Sequence, residues 1–241
     1  MSGIELERDG ELFQLTMNAG ENRWNTTFVR AFAEALDEVE NSEGPAALLT
    51  TSASEKFFSN GLDLDWLQQS GDHPGGDRQV FGEEFMALMG RIITLPIPTV
   101  CVVNGHGFGA GFMLALCHDV RLMREDRGYL CANEMQLGMV IPPAELALFK
   151  HKLPANVFFE TVQLARRWTG PDALAAGIVQ ALAPLPSLQD AALSKARSLA
   201  PLAANRAAFG AQKESIYGAN AALGGDHGAA HKLKHSREHK R

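Results

Sequence analysis

The sequence has little cysteine and little tyrosine. Its 241 residues include three cysteines and two tyrosines. Cys101, Cys117 and Cys131 each sit inside an apolar run. An odd count without paired spacing excludes a disulfide framework. It fits buried thiols in a reducing compartment, so a cytoplasmic location is the expectation. No apolar run reaches membrane-spanning length, and Met-Ser-Gly-Ile-Glu-Leu-Glu at the start has no apolar signal core. The last residues, His239-Lys240-Arg241, are not the Ser-Lys-Leu peroxisomal address. Basic charge is also scarce, and a net charge of −6 speaks against a general nucleic-acid binder. Neither nucleic acid nor membrane is expected as a partner. The exception is His231 to Arg241, with five Lys/Arg against one Glu, which reads as a disordered charged end.

One stretch is rich where the rest is ordinary. Thr99 to Val103 is a β-branched apolar run that reads as a buried strand. Gly105, Gly107, Gly109 and Gly111 follow at alternate positions, and Phe112 to Cys117 reads as a packed helix. Glycines let backbone approach a ligand closely. The free N–H groups at a helix start favour negative charge. The stretch is therefore suited to hold an anion or a developing anion. A dinucleotide fingerprint would need Gly-x-Gly-x-x-Gly early in the chain, and this spacing differs. A phosphate loop would need Gly-Lys-Ser/Thr, and a nucleophile elbow Gly-x-Ser-x-Gly; neither is present. The remaining reading is an oxyanion hole made of two backbone amides, one from each of two loops. Ser59-Asn-Gly-Leu-Asp-Leu64 is a ready second loop.

Along the chain, Ile4 to Met17 reads as two strands around Asp9-Gly10, and Asn25 as a helix start. Ala46 to Thr51 is a buried strand, Ser54 to Asp65 a loop, and Ser70 to Asp77 an exposed loop. Phe81 to Leu95 is an amphipathic helix. Val120 to Met123 and Tyr129 to Ala132 are short strands. Helices are expected over Ala144–Lys152 and Pro154–Arg167, and a short one from Thr169. Pro184 and Pro186 mark a boundary, and a wholly helical region runs from Leu188 to about Ala222, broken at Gly224 to Gly228. The pattern is α/β, with repeated strand-strand-helix units over 1–185 and a helical region with a basic tail over 186–241.

Two motifs make a resemblance specific. Phe58-Ser-Asn-Gly-Leu-Asp-Leu64 and Pro98-Thr-Val-Cys-Val-Val-Asn-Gly-His-Gly-Phe-Gly-Ala-Gly111 are similar to the two oxyanion segments of the crotonase superfamily, the enoyl-CoA hydratases and isomerases. The resemblance implies a spiral of strand-strand-helix turns with a C-terminal helical region, and a trimer or pair of trimers. It implies an acyl-CoA thioester as substrate, with coenzyme A arriving on that substrate and no separate cofactor or metal. It maps the oxyanion donors onto the amides of Leu62 and Ala110. Hydratases of the family use two glutamates. The position of the first is Met113 here, which carries no proton. The second matches Glu134, in Asn133-Glu-Met-Gln-Leu-Gly138, which resembles the Asn-Glu-x-x-Leu-Gly of Δ3,Δ2-enoyl-CoA isomerases. The implied reaction moves one proton of a 3-enoyl thioester from C2 to C4, giving the 2-enoyl thioester. Glu134 is the single acid/base and an apolar wall of Phe112 and Met113 raises its pKa. Arg23, Asn60, Gly61, Asp63, Gly109 and Met113 are the implied substrate-binding positions.

Blander readings stand beside these. Glu134 could be a surface carboxylate at a strand end. Glu145 is the nearest rival acid and reads as a charge suited to a helix start, and Asp63 as a cap bracing its loop. His106 has no partners at metal-ligand spacing. Phe81, Phe85, Leu88 and Met89 suit either a core face or an acyl tunnel. Arg23 could meet a phosphate or stand exposed. A hydrolase, lyase or hydratase using the same enolate, or a non-catalytic acyl-CoA binding protein, are the alternative functions.

Overall fold

The computed structural model describes residues 3–71, 76–219 and 227–238. Ile4–Asp9 (β1) and Leu12–Met17 (β2) form an antiparallel hairpin turning at Gly10, whose φ is +59°. Asn25 caps the following helix, Thr26–Glu40 (α1), by accepting a hydrogen bond from the Phe28 amide at 3.0 Å. Then the pattern repeats. Ala47–Ser52 (β3) and Phe57–Ser59 (β4) precede the helices Leu64–Gln69 (α2) and Asp77–Thr94 (α3). Thr99–Val103 (β5) and His106–Phe108 (β6) precede Ala110–Cys117 (α4). Val120–Arg124 (β7) and Leu130–Cys131 (β8) precede a 3-10 turn, Glu134–Leu137, and the helix Pro143–Lys152 (α5). Ala155–Val162 (α6), Gly170–Ala175 (α7) and Ala181–Ala183 (β9) complete the core.

In the three units after the hairpin the first strand joins one sheet and the second joins another, whereas β1 and β2 both lie in the first sheet. The six-stranded sheet has the order β1-β2-β3-β5-β7-β9, parallel after the hairpin, and the three-stranded sheet is β4-β6-β8, also parallel. This is the crotonase-like spiral of strand-strand-helix units. Strand β3 is buried at all six positions, as befits a strand covered on both faces. The helix Leu185–Leu199 (α8) covers one face. Its Leu188, Ala192 and Ala196, spaced four apart, cluster with Leu49, Val100, Val102 and Leu122. Phe13, Leu15, Leu48, Cys101 and Val103 point to the other face, into the cluster that also holds α1, α3 and α4 side chains.

Several local expectations change. The Ser54–Asp65 loop contains β4 and leads directly into α2. The glycine stretch contains β6, and α4 begins at Ala110, not Phe112. The glycines explain this. A Cβ at Gly105 would stand 2.5 Å from the Lys56 backbone, and one at Gly111 2.6 Å from the Ser59 carbonyl oxygen. These glycines let the second sheet and α4 close on their neighbours. The long C-terminal helix is interrupted by a 3-10 segment, Ala200–Asn205, before Arg206–Tyr217 (α9).

The basic tail is not a loose end over its described part. Ala229–Lys234 (α10) buries Ala229, Ala230 and Leu233 and packs on α3 and α5. Lys234 Nζ donates to Thr94 Oγ1 at 2.9 Å. The Ala-Ala-x-x-Leu spacing gives this short segment one apolar stripe, which outweighs its charge. The break expected at Gly224–Gly228 and the loop at Ser70–Asp77 fall largely outside the described residues.

Candidate active site

The two loops singled out in the sequence meet. The peptide from Asn60 to Asp63 is laid alongside Trp24: the Trp24 amide donates to Gly61 O at 2.8 Å and the Asp63 amide to Trp24 O at 2.9 Å. Trp24 Nε1 donates to Ser59 Oγ at 3.0 Å, and that hydroxyl donates to Asn22 O at 2.7 Å. On the other side, the Gly109 amide donates to Cys131 O at 2.9 Å. Gly61 and Gly109 both take positive φ, +80° and +48°, and each immediately precedes one of the two amides of interest. A Cβ at Gly61 would stand 3.8 Å from Ala110 N. Among the described residues, neither the Leu62 nor the Ala110 amide donates a hydrogen bond to the protein. Ala110 is the first residue of α4, so its amide is one of the helix's orphan donors.

Both residues line a cavity of about 410 Å³. Glu134 stands on its wall, in the 3-10 turn, with its carboxylate against Gly109. A Cβ there would be 3.1 Å from Glu134 Oε1. Its other oxygen, Oε2, is buried with no hydrogen-bond partner among the described residues. Burial therefore raises its pKa above the usual carboxylate range. Arg23, Asn60, Gly61, Leu62, Gly109, Ala110, Met113 and Glu134 thus all border one space.

Arg23 is not a free cation. It donates to Glu21 at 2.7 Å and lies 3.5 Å from Asp65. Asn60 Nδ2 donates to the same Glu21 carboxylate at 2.8 Å, and these hydrogen bonds hold the Glu21 pKa down. Asp63 is not part of the cavity wall. Its Oδ1 accepts from the Trp66 amide at 3.1 Å and caps α2, which is the bracing role. Phe112 also differs from expectation: it is fully buried and packs edge-on against Phe149 at 5.5 Å, leaving Ala110 and Met113 as the α4 residues on the wall. The α3 stripe divides, with Phe81 and Phe85 on the wall and Leu88 and Met89 in the core.

One further titratable residue stands on the wall: Glu145, the nearest rival acid in the sequence, for which a helix-start charge is the favoured reading. Glu145 does lie in the first turn of α5, yet it also borders the cavity. Its carboxyl makes no hydrogen bond or ion pair among the described residues. Burial, reinforced by the Glu134 charge, pushes its pKa up to about 8. Nothing in its sequence neighbourhood separates a first-turn acid facing water from one facing a cavity. Among the described residues no group of three or more His, Cys, Asp or Glu is arranged to hold a metal ion. No helix there is long and apolar enough to cross a membrane.

The profile of the enoyl-CoA hydratase/isomerase family matches residues 7–230. The chain belongs to this family. It is 34% identical over 182 residues to the peroxisomal enoyl-CoA delta isomerase 2 of Arabidopsis thaliana, covering 74% of this chain and 76% of the relative. It is 30% identical over 216 residues to enoyl-CoA delta isomerase 3 of the same plant, covering 88% and 91%. Among solved structures, a probable enoyl-CoA hydratase of Mycobacterium tuberculosis H37Rv superposes with a TM-score of 0.80 at 26% identity, over 88% of this chain and 87% of that one. The family's description covers both isomerases and hydratases.

Proposed function

We propose that the protein isomerises 3-enoyl-CoA thioesters to their 2-enoyl isomers. The observation that carries this reading is the contact between Glu134 and Gly109 beside two uncommitted amides. A thioester oxygen received by the Leu62 and Ala110 N–H groups would bring C2 toward Glu134. The carboxylate removes a C2 proton, and the amides hold the enolate oxygen. Each such donor stabilises the transition state by about 3 kcal/mol. In the simplest form, Glu134 returns the proton to C4. Met113, three residues beyond Ala110, supplies apolar surface where an acid would be needed to handle water. The delta isomerases among the relatives support the same choice. Leu64, Leu67, Phe81, Phe85 and Met86 offer an apolar wall for the acyl chain. Arg23 and Asn60, tied through Glu21, are suited to the polar coenzyme A end.

The test is direct. The purified protein should convert a 3-enoyl-CoA to the conjugated thioester, and Glu134→Gln should slow this by about 10²–10⁴-fold, the usual range for a general acid–base. Equal activity in that variant would remove Glu134 from the chemistry. Glu145 favours one alternative, since two carboxyls on one wall could add water to a 2-enoyl thioester. Formation of 3-hydroxyacyl-CoA measures that directly. Binding without turnover of any enoyl thioester would leave a binding protein. A trimer or pair of trimers belongs to the same proposal, supported by exposed Phe159, Leu164 and Leu202, and light scattering tests it. A cytoplasmic location is supported by three free, buried cysteines.

A further inference from the structure

Two carboxyls share the cavity, and they sit on different elements. Glu134 lies in the 3-10 turn against Gly109, beside the proposed oxyanion end. Glu145 lies in the first turn of α5. They are near enough for the Glu134 charge to act on Glu145, yet no hydrogen bond joins them. Among the described residues the charged groups on the wall are Arg23, Glu134 and Glu145, and Arg23 is taken by Glu21 and Asp65. Nothing among the described residues neutralises either carboxyl. Two half-buried carboxyls on one wall, without a cation between them, do not both ionise readily. Both carboxyls lie near a helix start, so the dipole does not separate them; desolvation weighs more on Glu145, which leaves Glu134 as the anion.

Resting on the isomerase reading, we infer that Glu145 is a second catalytic residue: it delivers the proton to C4 while Glu134 removes the one from C2. Glu134 carboxylate takes the C2 proton, and that electron pair moves into C1–C2 as the carbonyl becomes an enolate. The dienolate then collapses. Its oxygen re-forms the carbonyl, C2–C3 becomes the double bond, and the old C3–C4 pair takes the proton from the Glu145 carboxyl. Glu134 now holds a proton and Glu145 is charged. Transfer from one to the other, directly or through a water, restores the starting state with no net gain or loss. Desolvation and the nearby Glu134 charge push the Glu145 pKa up to about 8, which favours its protonated form near neutral pH. C2 and C4 are separate atoms on one substrate, and two carboxyls can serve them without either swinging between them.

A 3-enoyl-CoA carrying deuterium at both C2 hydrogens, followed through a single turnover in ordinary water, tests this. A single shuttling acid carries deuterium to C4. With Glu145 as donor, wild type places protium at C4. Glu145→Gln, close to the native side chain in size, should slow turnover by about 10²-fold. Its residual reaction, left to Glu134, should carry deuterium to C4. Deuterium at C4 in wild type overturns the inference. So does Glu145→Gln with a rate within threefold of wild type, or with an unchanged label pattern. Since the wild-type label experiment needs no variant, misfolding of Glu145→Gln cannot mask the result. Wild type that converts no 3-enoyl-CoA overturns the isomerase reading itself and this inference with it.

Discussion

A Cβ at Gly109 would stand 3.1 Å from Glu134 Oε1. Gly109 also has φ +48° and ψ −116°, a conformation that L side chains avoid. One residue thus both turns the chain before the Ala110 amide and leaves room for the carboxylate. Gly109→Ala should lower kcat by at least 10-fold, because a shift of a few tenths of an ångström moves base and amide together. The backbone strain should reduce stability by about 1–3 kcal/mol. Kinetics combined with thermal melts check both. Full activity in Gly109→Ala would mean that neither group is held as tightly as the contact implies.

The pH dependence of kcat/KM should be bell-shaped. Glu134 must be ionised to act as base, and burial raises its pKa, so activity falls on the acid side above the usual carboxylate range. Glu145 must be protonated to act as acid, so activity falls again above about pH 8. Glu145→Gln should lose the alkaline limb and keep the acid one. A wild-type profile flat from pH 7 to pH 10 would contradict the assignment of Glu145.

The same burial has a sign for stability. The folded chain holds the Glu145 proton from the ordinary value of 4.5 up to about 8, whereas the unfolded chain releases it near 4.5. The folded state binds more protons in that window, so the contribution of Glu145 to stability falls as pH rises through it. Glu145→Gln removes the group that ionises. The variant should melt higher than wild type at pH 9, with the advantage vanishing near pH 4. For a chain of this length, 1 kcal/mol corresponds to roughly 2–4 °C in Tm. A lower Tm for the variant at pH 9 would show that the carboxylate has a partner that stabilises it.

Asp63 makes a contrasting case. It caps α2 through the Trp66 amide and does not reach the cavity wall. Asp63→Ala should lower stability by about 1 kcal/mol, and Asp63→Asn should recover most of that, since Asn caps as well as Asp. KM should change by no more than about threefold in either variant. A tenfold rise in KM with an unchanged melt would return Asp63 to the substrate.

The two loops that border the cavity were easier to see in the sequence than the short strands beside them. Gly61-Leu62 and Gly109-Ala110 could be picked out because backbone at positive φ calls for glycine, and glycine is visible in a sequence. The purpose of Gly105 and Gly111 was not visible, because the backbones they admit, Lys56 and Ser59, are remote in the chain. Strands of three residues such as β4 and β6 carry too little periodicity to register. The side that Glu145 faces was not legible for a related reason. A first-turn acid satisfies the helix dipole in every context, and only the packing of α5 against the cavity decides which way the side chain faces.

Met113 allows the reaction assignment to be changed by design. It borders the cavity, is 3% exposed, and stands in the first turn of α4, three residues past Ala110. Met113→Glu would place a carboxyl on the α4 face of the cavity, at the position where the resemblance puts a hydratase acid. The helix N-terminus favours its charge, while burial disfavours it, so the variant should be less stable by about 1–3 kcal/mol. If two acids on those elements are what hydration needs, Met113→Glu should form 3-hydroxyacyl-CoA from a 2-enoyl-CoA at a rate that wild type lacks. Met113→Leu keeps the volume without the acid and should not hydrate. Robust hydration by wild type would break the link between Met113 and isomerisation, because the pair already present, Glu134 and Glu145, would then suffice to activate water.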